Sequence, residues 1–247
     1  MRSAATILLL LAAVMSASIF ASAAPASITA AVADKDRPEK DRARDADRKP
    51  ADIMAFTGVK SGDTVVDVGP GAGYYLRILS RIVGPKGTVI GFNPTWVAEK
   101  FPVAVEGVKS FATSGYPNVQ GIVQPMAELK FDRPVDVIFM SQLYHDQLWQ
   151  KIDMPKMNKA IFDALKPGGV FLVIDHIGRG VTTVEQIDKL HRIDPALVKE
   201  QVLAAGFTLA AESDLLRNPY DLGDKNVFDP SIRGHTDQFI YRFVKPR

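Results

Sequence analysis

The residues best suited to bind a ligand form a glycine-rich loop after a short apolar segment. Gly69, Gly71 and Gly73 stand at alternate positions, and Asp67 lies two residues before the first of them. Because glycine lacks a Cβ, such a loop turns sharply and approaches a ligand closely, and a following helix directs its N-terminal N–H groups at the same place. The spacing differs from the dinucleotide pattern G-x-G-x-x-G, because Tyr74 occupies the position of its last glycine. A tight strand-to-helix turn without a ligand is the alternative interpretation.

A second group of reactive side chains is spread over three later segments. Its members are histidines and aspartates, which exchange protons or bind metal ions: His145, Asp146, Asp175, His176, His191 and Asp194. His145 or His176 can act as a base towards a bound substrate, and Asp146 or Asp175 can orient the imidazole. The same side chains are suitable metal ligands, although their spacing matches no metal-binding signature. Roles in loops and helix caps are a third interpretation, since Asp194 precedes a proline that suits a first helical turn.

Apolar β-rich segments alternate with helical patterns, and this alternation decides where the reactive residues lie. Strands are predicted at 64–68, 88–92, 119–123, 135–140, 170–174, 207–212 and 238–244. Helices are predicted at 51–56, 75–83, 96–101 with an extension over 103–113, 155–165 and 196–205. Continuous apolar strands between helices are typical of a doubly wound, mostly parallel sheet covered on both faces. Because ligands bind beyond the carboxyl ends of such strands, the loops after strands one, two, four and five are expected to form the site.

The sequence resembles the class I S-adenosylmethionine-dependent methyltransferases in several motifs that occur in the right order. Motif I of that family is an acidic residue followed by G-x-G-x-G, as found at 67–73. Residues 134–138 resemble the start of the family's fourth strand, 165–170 the Lys-Pro-Gly-Gly turn before its fifth, and 198–207 its last helix. The resemblance covers residues 51–245 and implies an α/β Rossmann-like, doubly wound, mostly parallel seven-stranded sheet with an antiparallel last strand.

The same resemblance implies S-adenosylmethionine as the cofactor. It places Asp67 near the amino acid end of the cofactor, and the three glycines beside its ribose and carboxypropyl parts. Residues at the ends of later strands complete the expected cofactor site: Asn93, Met126 and Ser141.

The second strand departs from the family pattern. Family members end it in Asp or Glu, which binds both ribose hydroxyls, whereas this chain has Asn93. An Asn side chain accepts one hydrogen bond and donates another but cannot supply two charged acceptor bonds. After the third strand Gln124 stands near the position of the family's adenine-binding Asp or Asn. Met126 is expected either against the adenine ring or in the core.

The N-terminus has the pattern of a secretory signal peptide. Arg2 precedes an uncharged run over 4–20, and a small-residue motif at 21–23 predicts cleavage after Ala23. A retained membrane anchor is the alternative. A periplasmic or secreted protein is therefore expected, without stable membrane insertion after cleavage, and it resembles a group of predicted exported methyltransferase-like proteins. Residues 24–50 are predicted to form a charged linker or lid, and 51–247 a methyltransferase-like domain.

The composition limits which ligands and which reaction chemistry are possible. The 247 residues include no cysteine, which excludes disulfides, thiolate metal sites and a cysteine nucleophile. The net charge of +2 gives no case for nucleic acid. We predict methyl transfer from S-adenosylmethionine to an unidentified small molecule, with His145, Asp146 and His176 as catalytic residues and no residue assigned to a metal. Two alternatives stay open: a non-catalytic exported ligand-binding protein on this fold, and a metal-dependent enzyme that uses the His/Asp cluster.

Overall fold

The computed structural model describes residues 24–247. The predicted signal peptide, residues 1–23, lies outside the described residues, so its cleavage and the export of the protein remain predictions. Within residues 24–247 there is no helix with the length and apolar character that a membrane span requires.

A seven-stranded sheet organises the protein. Its strands are β1 (Thr64–Val68), β2 (Thr88–Pro94), β3 (Val119–Gln124), β4 (Val135–Ser141), β5 (Leu165–His176), β6 (Thr208–Ser213) and β7 (Gln238–Val244). They lie in the order β3-β2-β1-β4-β5-β7-β6. Strands β1 to β5 are parallel, and β7 runs antiparallel to both β5 and β6. The predicted Rossmann-like fold, with its antiparallel last strand, is confirmed.

Helices connect the strands and cover both faces of the sheet. They are α1 (Ala26–Val32), α2 (Glu39–Arg42), α3 (Asp45–Arg48), α4 (Pro50–Thr57), α5 (Tyr74–Val83), α6 (Thr95–Lys100), α7 (Pro102–Lys109), α8 (Tyr144–Trp149), α9 (Met154–Ala164), α10 (Val184–Leu190) and α11 (Pro195–Ala204). The predicted helices correspond to α4, α5, α6, α7, α9 and α11. Sequence reasoning missed α8 and α10, which have six and seven residues.

Two apolar layers, one on each face of the sheet, bury the central strands. Val65 and Val137 belong to the layer that includes α4 and α5, whereas Val66 and Ile138 belong to the layer that includes α9 and α11. Successive strand residues point to opposite faces, so an uninterrupted apolar strand is buried on both sides. This burial places β1 and β4 at the centre of the sheet, with their carboxyl ends side by side.

The charged N-terminal segment, predicted as a linker or lid, forms α1 to α3 and packs on α5. The guanidinium of Arg37 pairs with both carboxylate oxygens of Asp45 at 2.7 and 2.8 Å, and Arg37 is buried. The Tyr74 hydroxyl donates to Asp45 at 2.6 Å, and Arg77 pairs with Asp41 at 2.9 Å. Because these charges have partners, they can be buried against the domain.

A buried ion pair fixes the long connection between β6 and β7. Arg192 donates to both carboxylate oxygens of Asp221 at 2.9 Å, and their side chains are 0% and 1% exposed. Arg192 also donates to the carbonyl oxygens of Ile177 and Lys225 at 3.1 and 2.9 Å. The connection, which carries Phe228, is thereby tied to the end of β5.

This pair generates a stability prediction. Asp221→Asn leaves Arg192 buried without its counter-charge, and we expect the free energy of unfolding to fall by about 3 kcal/mol in chemical denaturation. The control is Asp163→Asn in the exposed Lys159–Asp163 pair, whose side chains are 61% and 58% exposed. There we expect a loss below about 0.5 kcal/mol. Equal losses in the two variants would contradict the role given to the buried pair.

Candidate functional site

A cleft of about 840 Å³ opens in front of the glycine loop, at the carboxyl ends of β1 and β2. The loop, the end of β2, α6, α7 and the region around α8 line it, with Gly69, Gly71, Asn93, Trp96, Asp146 and His191 among the lining residues. This is the edge of the sheet at which ligands bind in doubly wound folds.

Gly69 and Gly73 allow two apolar side chains to pack directly on the glycine loop. A Cβ at Gly69 would lie 2.5 Å from Cδ2 of Leu143, and a Cβ at Gly73 would lie 2.1 Å from Cζ of Phe111. Both glycines also have positive φ angles, 67° and 81°. At Gly71, by contrast, an added Cβ would meet nothing within 4 Å. The loop is thus fixed at both ends and open towards the cleft in its middle.

Two oxygen atoms at neighbouring strand ends are buried without a hydrogen-bond partner among residues 24–247, Oδ2 of Asp67 and Oδ1 of Asn93. Asp67 lies in β1 and pairs with Gly91 of β2, two residues before Asn93. A buried acceptor without a partner costs about 1–3 kcal/mol. A ligand that donates hydrogen bonds to these atoms recovers that free energy. The ammonium group and the ribose hydroxyls of S-adenosylmethionine are such donors, so both residues fit the cofactor that the resemblance implies.

The Asp67 carboxyl group is poised near neutral pH. Burial raises the pKa of Asp67 to about 7, and the nearby positive charge of Arg48 offsets this only in part. A cationic ligand group beside Asp67 would favour its carboxylate form and lower this pKa again.

Aromatic and aliphatic side chains form the outer wall of the cleft. Phe101 and Val103 are 57% and 83% exposed although both are apolar. The Trp96 indole N–H donates to Oε1 of Gln147 at 3.2 Å, which fixes its ring against the cleft. Exposed apolar side chains around a concave surface are typical of a ligand-binding site, and a flat ring such as adenine is a suitable occupant.

A second cavity of about 220 Å³ adjoins the cleft, and Phe228 lines both. Arg44, Arg48 and Arg233 line this cavity together with a single carboxylate, that of Asp47. Burial and the charge of Arg48 lower the pKa of Arg44. The lining therefore carries net positive charge and suits an anionic group.

His145 lies in the first turn of α8 and is held by the end of β5. Its Nδ1 lies 2.8 Å from Oδ1 of Asp175, and its backbone N–H donates to Oδ2 of the same carboxylate at 2.9 Å. His145 is 3% exposed and Asp175 is 0% exposed. With Nδ1 engaged in this way, Nε2 is the ring atom left to face Asp146, at 3.4 Å from Oδ1.

The two buried groups stabilise each other's charged forms. Burial acts to lower the pKa of His145, but the charge of Asp175 and its hydrogen bond outweigh burial and raise this pKa. Burial acts to raise the pKa of Asp175, but the charge of His145 and the hydrogen bonds from its ring and backbone N–H outweigh burial and lower this pKa. The pair is therefore an oriented imidazole supported by a carboxylate.

His176 has a different character. Its Nδ1 lies 2.7 Å from the Thr236 hydroxyl, and burial lowers the pKa of His176 to about 3. At neutral pH it is an uncharged hydrogen-bonding group in the wall of the second cavity, beside Ser141. The structure thus separates the two predicted histidine bases, since His145 is paired with a carboxylate and His176 is not.

The predicted cofactor residues are brought together with one exception. Gly69, Gly71 and Asn93 line the cleft, Gly73 ends the same loop at the start of α5, Asp67 is buried, and Ser141 lines the adjoining cavity. Met126 is 1% exposed and packs in the core layer that contains α9. It is not among the lining residues of the cleft, which corresponds to the core-filling alternative for this residue.

Sequence reasoning did not predict the aromatic walls, whereas the two arginines from the N-terminal segment belong to the predicted linker or lid. Trp96, Trp149 and Phe228 face the cleft from three separate segments, and Arg44 and Arg48 reach the second cavity from α3 and the residue before it. The guanidinium of Arg48 lies 4.7 Å from the centre of the Tyr74 ring.

The order of the strands and the position of the cleft define a Rossmann-like protein. Its nucleoside-type ligand site lies at the switch point between β1 and β4, where the order of the strands reverses. A family model described as a methyltransferase domain matches residues 40–217, more than half of the chain. The chain therefore belongs to this methyltransferase-domain family. The family match and the fit of the cleft support S-adenosylmethionine as the cofactor.

Similar proteins are distant in sequence. A protein-L-isoaspartate O-methyltransferase of Methanococcus maripaludis strain C7 is 25% identical over 147 residues, which is 59% of this chain and 60% of that protein. The chain thus matches about 60% of the length of that curated relative. A solved S-adenosylmethionine-dependent methyltransferase from Aquifex aeolicus is 23% identical with a TM-score of 0.58, covering 87% of this chain and 96% of that one.

A third similar protein shows that this fold also serves other chemistry. The [4+2]-cyclase SpnF is 19% identical with a TM-score of 0.60, covering 83% of this chain and 80% of that one. At such identities, similarity to solved structures establishes the fold alone.

The raised pKa of Asp67 generates a stability prediction. As the pH rises from the ordinary pKa of 3.8 to the folded value of about 7, the unfolded chain loses this proton before the folded chain does. Stability is therefore lost with rising pH across this window. We expect the stability advantage of Asp67→Asn over the parent, followed by thermal unfolding, to grow from about pH 4 to about pH 7 and to level off above that pH. Asp224→Asn, at an exposed position, is the charge-matched control. A pH-independent difference for Asp67→Asn would refute the assignment.

Proposed function

We propose that the protein transfers a methyl group from S-adenosylmethionine to a small-molecule acceptor. The observation that carries this proposal is the pair of buried acceptor atoms, Oδ2 of Asp67 and Oδ1 of Asn93, that have no partner among the described residues. Asp67 lies in β1 two residues before the glycine loop, and Asn93 lies near the end of the neighbouring strand β2. Since buried polar groups are normally satisfied, two such atoms beside the cleft support a ligand that supplies the missing donors.

The residues around the cleft divide the recognition of the cofactor among them. The Asp67 carboxylate pairs with the α-ammonium group, and the Asn93 amide binds a ribose hydroxyl. The open middle of the glycine loop at Gly71 allows close contact of the backbone, and the aromatic wall around Trp96 covers the adenine ring. Arg48, in the positively charged second cavity, is suited to the α-carboxylate.

The chemistry requires alignment and removal of a proton. S-adenosylmethionine supplies an electrophilic methyl group, whose bond to sulfur breaks as the bond to the acceptor forms, with sulfur keeping the electron pair. A hydroxyl or amine acceptor must also lose a proton. We assign this step to Nε2 of His145, because Asp175 fixes the ring through Nδ1. Phe228 and Trp149 line the cleft and help to hold the acceptor in line.

Cofactor binding provides the first test. We expect calorimetry to show micromolar binding of S-adenosylmethionine and S-adenosylhomocysteine, about −8 kcal/mol. Affinity should rise between about pH 5 and about pH 7, because Asp67 ionises there, and should fall above about pH 8 as the ligand loses its own ammonium proton. Asp67→Asn should bind more weakly and lose the rise.

Methylthioadenosine is the matched control ligand, since it lacks the amino acid part. Its affinity should not follow the ionisation of Asp67. If neither cofactor form binds at millimolar concentration, the proposed function is wrong. If all three ligands show the same pH profile, the pairing of Asp67 with the ammonium group is wrong.

The unpartnered Asn93 acceptor gives a second test. Asn93→Ala removes an atom that bonds to nothing in the described protein, so we expect the melting temperature to stay unchanged or rise. The dissociation constant for S-adenosylmethionine should increase about tenfold, corresponding to about 1.4 kcal/mol. A stability loss with unchanged affinity would show that Asn93 has a structural role instead.

A further inference from the structure

Three side chains at the inner end of the cleft converge in a way that methyl transfer does not require. One ligand atom each from His145, Asp146 and His191 lies within 4.8 Å of the others. Oδ1 of Asp146 lies between the two rings, 3.4 Å from Nε2 of His145 and 3.7 Å from Nδ1 of His191. The imidazole planes are nearly perpendicular, at 89°.

These separations suit a shared metal ion. Nitrogen and oxygen ligands about 2.1 Å from one ion in tetrahedral geometry lie roughly 3.4 Å apart. The two separations that involve Asp146 are close to this value. Rotation of the side chains can bring the two histidine nitrogens to the same separation, since His191 and Asp146 are only partly buried.

The surroundings of His145 resemble the support of a metal ligand. Histidine ligands usually donate their second ring nitrogen to a carboxylate, which fixes the tautomer and the orientation of the ring. Asp175 plays this part for His145, at 2.8 Å from Nδ1 and with no exposed surface. His176 donates its backbone N–H to the same Asp175 carboxylate at 2.8 Å, so the carboxylate itself cannot turn away.

The backbone of His191 is strained, and aromatic contacts hold its ring in place. It ends α10 with a left-handed φ of 50°, a conformation that non-glycine residues adopt at a cost and that clusters at functional sites. Trp149 and Phe228 pack edge-on against its ring, with centroid distances of 5.2 and 5.1 Å.

We propose that His145, Asp146 and His191 bind a divalent transition-metal ion through Nε2, Oδ1 and Nδ1. Two imidazoles and one carboxylate favour ions such as Zn²⁺, Co²⁺, Ni²⁺ or Fe²⁺ over Mg²⁺ and Ca²⁺, which prefer oxygen ligands. Three protein ligands leave further coordination positions, and these face the cleft that Asp146 and His191 line. The ion would bind an oxygen or nitrogen atom of a small molecule there.

The metal site goes beyond the proposed function and stands without it. If both hold, the ion lies at the acceptor end of the cleft and promotes ionisation of a bound acceptor. Nε2 of His145 then coordinates the ion and no longer serves as the base. The two roles of this atom exclude each other, and the measurement of metal binding separates them.

Titration of the metal-free protein with Co²⁺ alone tests the site, because its visible absorption reports the number and geometry of the ligands. We expect one equivalent to bind with the absorption of a four- or five-coordinate ion, and Zn²⁺ to displace it. His191→Ala and Asp146→Asn should each weaken binding at least about tenfold, and Asp175→Asn about 10–100-fold. His235→Ala is the matched control, because His235 is exposed and lies 3.7 Å from Asp47, outside the cluster.

Binding that survives His191→Ala, or that is lost in His235→Ala, would overturn the proposal, and so would the absence of binding at millimolar Co²⁺. Circular dichroism of each variant separates loss of the site from loss of the fold. S-adenosylmethionine titration of the same metal-free samples keeps the two proposals apart. Cofactor binding without metal binding leaves methyl transfer in place with His145 as base, whereas metal binding without cofactor binding supports the metal site alone.

Discussion

The buried carboxylate of Asp175 is the constraint on which the arrangement of the site depends. An ionised carboxylate with no exposed surface is costly unless several donors surround it. The ring and backbone N–H of His145 and the backbone N–H of His176 supply those donors. The start of α8 is therefore fastened to the end of β5, and the direction of the His145 ring is fixed before any ligand binds. Asp146 is the next residue in the same helical turn, so its position is fixed as well.

The opposite side of the cleft is built on polar groups that are left unsatisfied. Asp67 and Asn93 have buried oxygen atoms without partners, and burial holds the pKa of Asp67 near neutrality. Such groups reduce the stability of the empty protein and increase the free energy gained when a suitable ligand binds. The polar groups at the end of β5 have hydrogen-bond partners, and they position side chains of the site. The polar groups at the ends of β1 and β2 lack partners, and they receive a ligand.

The N-terminal helices show how a segment rich in charged residues can pack against a folded domain. A segment dense in Arg, Lys and Asp is usually solvated, because isolated charges resist burial. Here Arg37 forms an ion pair with Asp45, and Arg77 forms one with Asp41. The Tyr74 hydroxyl donates a hydrogen bond to Asp45. The segment consequently packs on α5 and brings Arg44 and Arg48 to the wall of the second cavity. Pairing between residues far apart in the chain, such as Arg77 and Asp41, depends on the fold and produces no periodic pattern in the sequence.

Local patterns alone determined the seven strands, six of the helices and the glycine loop. The apolar runs within β1, β4 and β5 and the alternate glycines at 69–73 can be recognised because burial and backbone freedom act on neighbouring residues. Only the tertiary structure decided which of the histidines became paired, that Met126 went to the core, and that Trp149, Phe228 and His191 meet at one cleft. Those outcomes rest on contacts between residues far apart in the chain. Their geometry is set by how α8, α10 and the β6–β7 connection pack against the sheet.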